Sequence, residues 1–66
     1  MERLFRGHKI KLTYYPGNND YKVECHNFSG ELVFEYMDAS SEGPYDVMNR
    51  AKIKVGTLIN ENNDRT

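Results

Sequence analysis

The stretch His8-Lys9-Ile10-Lys11-Leu12-Thr13-Tyr14-Tyr15-Pro16-Gly17-Asn18-Asn19-Asp20-Tyr21-Lys22-Val23-Glu24-Cys25 decides the fold. Its apolar residues recur at every second position on either side of a cluster of turn formers. Ile10, Leu12 and Tyr14 fall on one side of an extended chain and Lys9, Lys11 and Thr13 on the other, the pattern of a strand buried on one face. Pro16 fixes its φ, Gly17 tolerates positive φ, and Asn18, Asn19 and Asp20 can bond their own backbone, so the chain reverses through residues 16–20. Alternation then resumes, with Tyr21, Val23 and Cys25 inward and Lys22 and Glu24 outward. Two such runs around a short loop make a β-hairpin.

Beyond the hairpin, His26-Asn27-Phe28-Ser29-Gly30 supplies another reversal, and Glu31 to Met37 alternates a third time. Leu32, Phe34 and Tyr36 face one way, Glu31, Val33 and Glu35 the other. Before the hairpin, Arg3-Leu4-Phe5-Arg6 reads either as a short fourth strand joined through Gly7 or as an arm capping the core. Asp38 to Gly43 is a polar connection. Gly43-Pro44 then resembles a helix entry, with glycine at the cap, proline at the first helical position and Asp46 near the positive end of the helix dipole. Tyr45, Met48, Ala51, Val55, Leu58 and Ile59 share one helical face about 140° wide. Gly56 weakens the helix there, yet losing Leu58 and Ile59 from the core would cost more, so the helix extends to about Asn60. Residues 61–66 contain no apolar side chain and read as a disordered polar tail.

The expected fold is therefore α+β, a β-β-β-α domain over residues 1–60: an antiparallel sheet of three strands, or four, covered on one face by a single C-terminal helix. The expected core combines Ile10, Leu12, Val23, Leu32, Phe34, Met48, Val55 and Leu58. Tyr14, Tyr21, Tyr36 and Tyr45 fit its rim. Strand order is open at this stage.

With 66 residues, 38% of them hydrophobic, the chain has room for one small core. A domain of this size buries only roughly 60% of the surface its unfolded chain exposes, so its stability is marginal. A single cysteine makes an internal disulfide impossible, and a partner or a second copy becomes the expected source of extra stability. The charged start Met1-Glu2-Arg3-Leu4-Phe5-Arg6 does not read as a secretory signal, and no long apolar run suggests a membrane span. A soluble, cytoplasmic protein is expected.

The net charge of −1 conceals segregation. Residues 1–11 hold Arg3, Arg6, Lys9 and Lys11 against Glu2; residues 12–49 hold seven acids against Lys22 alone; residues 50–66 hold Arg50, Lys52, Lys54 and Arg65 against Glu61 and Asp64. Cross-strand charge pairing explains this better than a polyanion site, because nucleic-acid domains carry a basic excess that this chain lacks.

Candidate chemistry is sparse. Cys25 next to His26, with His8 elsewhere, is the only cluster of soft ligands, but it lacks metal-ligand spacing, and adjacent strand residues point to opposite faces. No metal and no cofactor is expected. A thiol at an inward strand position is shielded and protonated, and so small a chain leaves no room for a substrate cleft, so no enzyme is expected. Glu24 and Glu35 read as part of a solvated charge mosaic. Tyr15 projects outward beside the Pro16-Gly17 turn, near Lys11 and Lys22, where an exposed aromatic could stack on a base. Val33 on the outer sheet face, and Ile53 beside Arg50 and Lys54 on the helix face away from the core, are apolar where solvent contact does not require it. These seven residues, Lys9, Lys11, Tyr15, Val33, Arg50, Ile53 and Lys54, are the candidate contacts with a partner or with nucleic acid.

Tyr21-Lys22-Val23-Glu24-Cys25-His26-Asn27-Phe28-Ser29-Gly30 resembles the second strand and following turn of HicB-type antitoxins, and the layout over residues 8–60 is similar. His26 and Ser29 stand where that family usually has prolines, and no DNA-binding segment follows the helix. The resemblance implies a partly RNase H-like domain that dimerises and masks a small RNA-cleaving toxin without catalysis of its own. The expected function is thus a non-catalytic binding or regulatory module that forms a homodimer or engages a small protein partner. A small nucleic-acid-binding protein is the alternative.

Overall fold

A computed structural model describes residues 1–39 and 43–64. Four strands, β1 (Glu2–Phe5), β2 (His8–Tyr15), β3 (Asp20–His26) and β4 (Leu32–Ala39), precede one helix, α1 (Pro44–Asp64). The strands form a single antiparallel meander in the order β1-β2-β3-β4. The α+β expectation holds, and Arg3-Leu4-Phe5 belongs to a fourth strand.

Local chemistry sets each reversal. Arg6 and Gly7 both have positive φ, 50° and 79°. Two such residues in succession give the mirror-image turn whose twist matches a hairpin, so Phe5 can pair directly with His8. In the second reversal the Asn18 amide bonds the Tyr15 carbonyl at 3.2 Å across Pro16-Gly17. Positive φ falls on Asn19 (55°) and not on Gly17, and the Tyr14 hydroxyl donates to Asn19 Oδ1 at 2.7 Å. In the third, Asn27 Oδ1 accepts from the amides of Ser29 and Glu31, both at 3.0 Å, while Gly30 takes φ +84°. The helix starts as its sequence indicates: Gly43, at φ +92°, offers its carbonyl to the Val47 amide, and Pro44 occupies the first turn without leaving an amide unsatisfied.

Ile10 pairs with Cys25 and Leu12 with Val23, placing all four on the face that the helix covers. Val47, Met48, Ala51 and Val55 close over them, and these eight residues are the buried core. Several expectations need correction. Leu32 is 51% exposed, because a register irregularity at Cys25/His26 pairs Cys25 with Phe34 but His26 with Leu32. Val33 is the extra residue of this bulge, and Leu32 is turned onto the outer face. Phe34 is only half-buried, and Leu58 is half-buried beside Ile59. The helix is rotated towards Val47, which leaves Tyr45 71% exposed, and Tyr14 is exposed at the sheet's end.

The helix passes through Gly56 and continues to Asp64, so positions 61–64 are helical and not part of a tail; 65 and 66, and the 40–42 portion of the polar connection, lie outside the described residues. Two contacts tie the helix to the sheet's flanks. Arg50 donates to Asp38 of β4 through Nε (2.9 Å) and Nη2 (3.1 Å), and Lys52 Nζ lies 5.8 Å from the ring centre of Phe5 in β1.

Two predictions follow from this packing. Ile10→Ala should cost about 2–5 kcal/mol and Leu32→Ala no more than about 0.5 kcal/mol in urea denaturation. Comparable losses would mean that the bulge is misplaced. A Cβ at position 56 would meet only Arg6 Nη1 at 3.8 Å, an ordinary contact, so Gly56→Ala should stabilise by about 0.5–1 kcal/mol. A destabilised variant would instead place the helix closer to the β1–β2 turn.

Candidate functional site

The helix covers one face of the sheet and leaves the other open. Strand pairing arranges this outer face in rows. Leu4, Lys9, His26 and Leu32 form the row nearest the β1–β2 and β3–β4 turns; Glu2, Lys11, Glu24 and Glu35 form the next; Thr13, Lys22 and Met37, then Tyr15, Asp20 and Ala39, complete it. Charges in the middle rows largely answer one another. Lys9 lies 3.9 Å from Glu2 and Lys22 3.9 Å from Glu35, which relieves the direct opposition of Glu24 and Glu35. Pairs this exposed are each worth about 0–1 kcal/mol, so they shape the surface more than they hold the fold.

The first row differs in character. Leu4 is 81% exposed and Phe28, at the apex of the turn that Asn27 braces, is 90% exposed. Between them lies an open groove of ≈ 670 Å³ lined by Leu4, Gly7, Lys9, His26, Asn27, Phe28 and Gly30. Its walls come from two reversals that converge at the same end of the sheet. A concavity of this size departs from the expectation that so small a chain has none. It brings together two large apolar side chains, one cation and one imidazole.

The seven candidate contacts do not share a surface. Lys9, Lys11 and Tyr15 lie on the outer sheet face and Val33 is the unpaired residue of the β4 bulge, whereas Arg50, Ile53 and Lys54 lie on the helix that covers the inner face. Arg50 is engaged with Asp38. Lys54 Nζ lies 5.5 Å and 5.4 Å from the ring centres of Phe34 and Tyr36, which are stacked 5.8 Å apart at 27°. Ile53 remains 69% exposed. Leu4 and Phe28 were missed by the sequence reading. A strand carrying Leu4-Phe5 must turn one of the two outward, and that was their only signal.

Cys25 is fully buried on the inner face, whereas His26 belongs to the outer one, so the adjacent thiol and imidazole are split by the sheet. His8 Nδ1 lies 3.0 Å from the Arg6 carbonyl. Among the described residues no group of three or more His, Cys, Asp or Glu side chains is placed to hold a metal ion. Burial pushes the Cys25 thiol up; burial also raises Tyr36, with Asp38 adding to the rise, Arg50 opposing it and Cys25 adding slightly.

Both groups hold their protons more tightly in the folded chain. As pH rises the unfolded chain loses these protons first, so stability is complete at neutral pH and falls above the ordinary thiol and phenol values, about 8.5 and 10. Urea denaturation at neutral pH and near pH 10 should show this decline, and Cys25→Ala should lessen it. Equal stability at both values would contradict the burial of Cys25 and Tyr36. Comparison with protein-family models, with curated proteins and with solved structures finds no match to this chain.

Proposed function

We propose that this chain is a non-catalytic binding or regulatory module that acts through protein–protein contacts and self-association. One observation carries the reading: the outer sheet face is left uncovered, with Leu4 and Phe28 presented beside an open groove while neighbouring charges are largely paired. Leaving large apolar side chains in water offers no benefit to a lone domain, and such patches mark sites of association. Phe28 is held out by a turn whose amides are bonded to Asn27, so it is preorganised for insertion into a partner. Cys25 is buried on the inner face and takes no part in the groove, whose polar lining is Lys9, His26 and Asn27.

An antitoxin-like module is the most concrete form of this proposal and rests on the resemblance across Tyr21–Gly30. The alternative, nucleic-acid binding, draws less support. Lys9 faces Glu2, Lys11 lies between Glu2 and Glu24, and Arg50 is bound to Asp38. Tyr15 sits in the farthest row, beside Asp20. No helix of the described residues is long and apolar enough to cross a membrane.

The test compares the parent chain with a Leu4→Ser/Phe28→Ser variant as immobilised baits in lysate of the native cell, with and without nuclease. Because both side chains are exposed, the variant should melt within a few degrees of the parent. It should lose the proteins that the parent retains, irrespective of nuclease. Retention of the same proteins by both baits would remove this face as the contact, and nuclease-sensitive retention would favour the nucleic-acid alternative.

A further inference from the structure

The sheet ends in two edges that differ in kind. β1 is four residues long, contains Arg3 and is followed by Arg6, and Arg3 Nη1 donates to the Glu2 carbonyl at 2.9 Å. A short, charged strand with a guanidinium on its backbone is a blunted edge. β4 is eight residues long, Leu32-Val33-Phe34-Glu35-Tyr36-Met37-Asp38-Ala39, and contains no proline and no lysine. Among the described residues no backbone group outside its pairing with β3 bonds to it. Its inner face is also incompletely roofed: Phe34 and Tyr36 are half-buried, with the Lys54 ammonium above them where the helix does not reach.

We propose that β4 is the dimerisation strand, pairing antiparallel with β4 of a second copy about a two-fold axis through Tyr36. The inference rests on the self-association proposed above and names its surface and register. For inner residues to oppose inner residues, the axis must pass through a residue and not between two. An axis at Glu35 opposes two Glu35 carboxylates and runs the pairing across the bulge at Val33. An axis at Met37 leaves Phe34 beyond the strand's end. The axis at Tyr36 pairs residues 34–38 entirely past the bulge, sets Glu35 against Met37 of the second copy, and stacks Tyr36 on its counterpart. It also places Asp38 of one copy opposite Phe34 of the other, beneath Lys54. Lys54 makes no ion pair among the described residues, and this register brings to it the Asp38 carboxylate of the second copy, which is then shared between that copy's Arg50 and the overhanging Lys54. The two sheets become one of eight strands, and both β4 edges are consumed.

The test uses the full chain with single cysteines at exposed positions, Glu35→Cys and Met37→Cys, each shown by circular dichroism to be folded; Cys25 is buried, and the parent serves as its control. Facing residues of paired strands lie within disulfide range. Mild oxidation of the two variants mixed should give several-fold more cross-linked dimer than either variant alone, and sedimentation of the parent should show a dimer that grows with concentration. A parent dimer without that mixed cross-link overturns the β4 register and leaves self-association standing. Abundant cross-linking of Glu35→Cys alone overturns the Tyr36 axis. A parent that sediments as a monomer throughout overturns both the register and the self-association beneath it.

Discussion

Everything in this structure depends on one helix covering the middle of a four-stranded sheet. A helix with its side chains is about 10 Å across, while four strands at about 4.8 Å spacing set the outer strand axes roughly 14 Å apart. The helix therefore roofs the central strands, and among the described residues the buried core side chains come from β2, β3 and α1 alone. On the flanks, roofing passes to the stems and charges of long side chains: Lys52 over Phe5, Lys54 over Phe34 and Tyr36, and Arg50 locked to Asp38. Such stems shield apolar surface while keeping the charge in water, which makes the flanks adaptable and the centre rigid.

That geometry also places the surfaces through which the chain can act. A core of eight residues gives little reserve, so surplus apolar area serves better in association than in solvent. The outer face collects it at one end, where two turns converge on Leu4 and Phe28, and β4 keeps an open edge at the sheet's side. These surfaces are separate in space. The proposed pairing of β4 with a second copy would therefore leave the groove between Leu4 and Phe28 uncovered.

Much of this was legible in the residues. Alternation in Ile10–Leu12 and Val23–Cys25 gave the phase of the central hairpin, and Gly43-Pro44 marked the helix start because few other residue pairs fit a positive-φ cap followed by a fixed first turn. The fourth strand was left open because Arg6, an ordinary side chain, occupies the positive-φ position where asparagine or glycine would have signalled a tight turn. Leu32 was misplaced by a bulge, which shifts alternation by one residue without altering composition. The helix face follows from residue spacing as an arc bounded by Tyr45 and Leu58, and Val47 lies just outside that arc; a small rotation of the helix packs Val47 against the sheet and leaves Tyr45 in water. The groove was hidden for a different reason. Its walls, Leu4 and Phe28, are far apart in sequence and meet only because the meander brings its first and third turns to the same end.

The sheet is closed at its centre and open at β4. Residue-resolved amide hydrogen exchange tests this most directly, since exchange reports the opening of each backbone hydrogen bond. In dilute solution the amides of Ile10, Leu12, Val23 and Cys25 should be the slowest, and the β4 amides directed away from β3 should exchange at nearly the rate of free chain, slowing as protein concentration rises. Edge amides of β4 as protected in dilute solution as those of β2 and β3, with no dependence on concentration, would show that the edge is already closed within the single chain and would contradict the account.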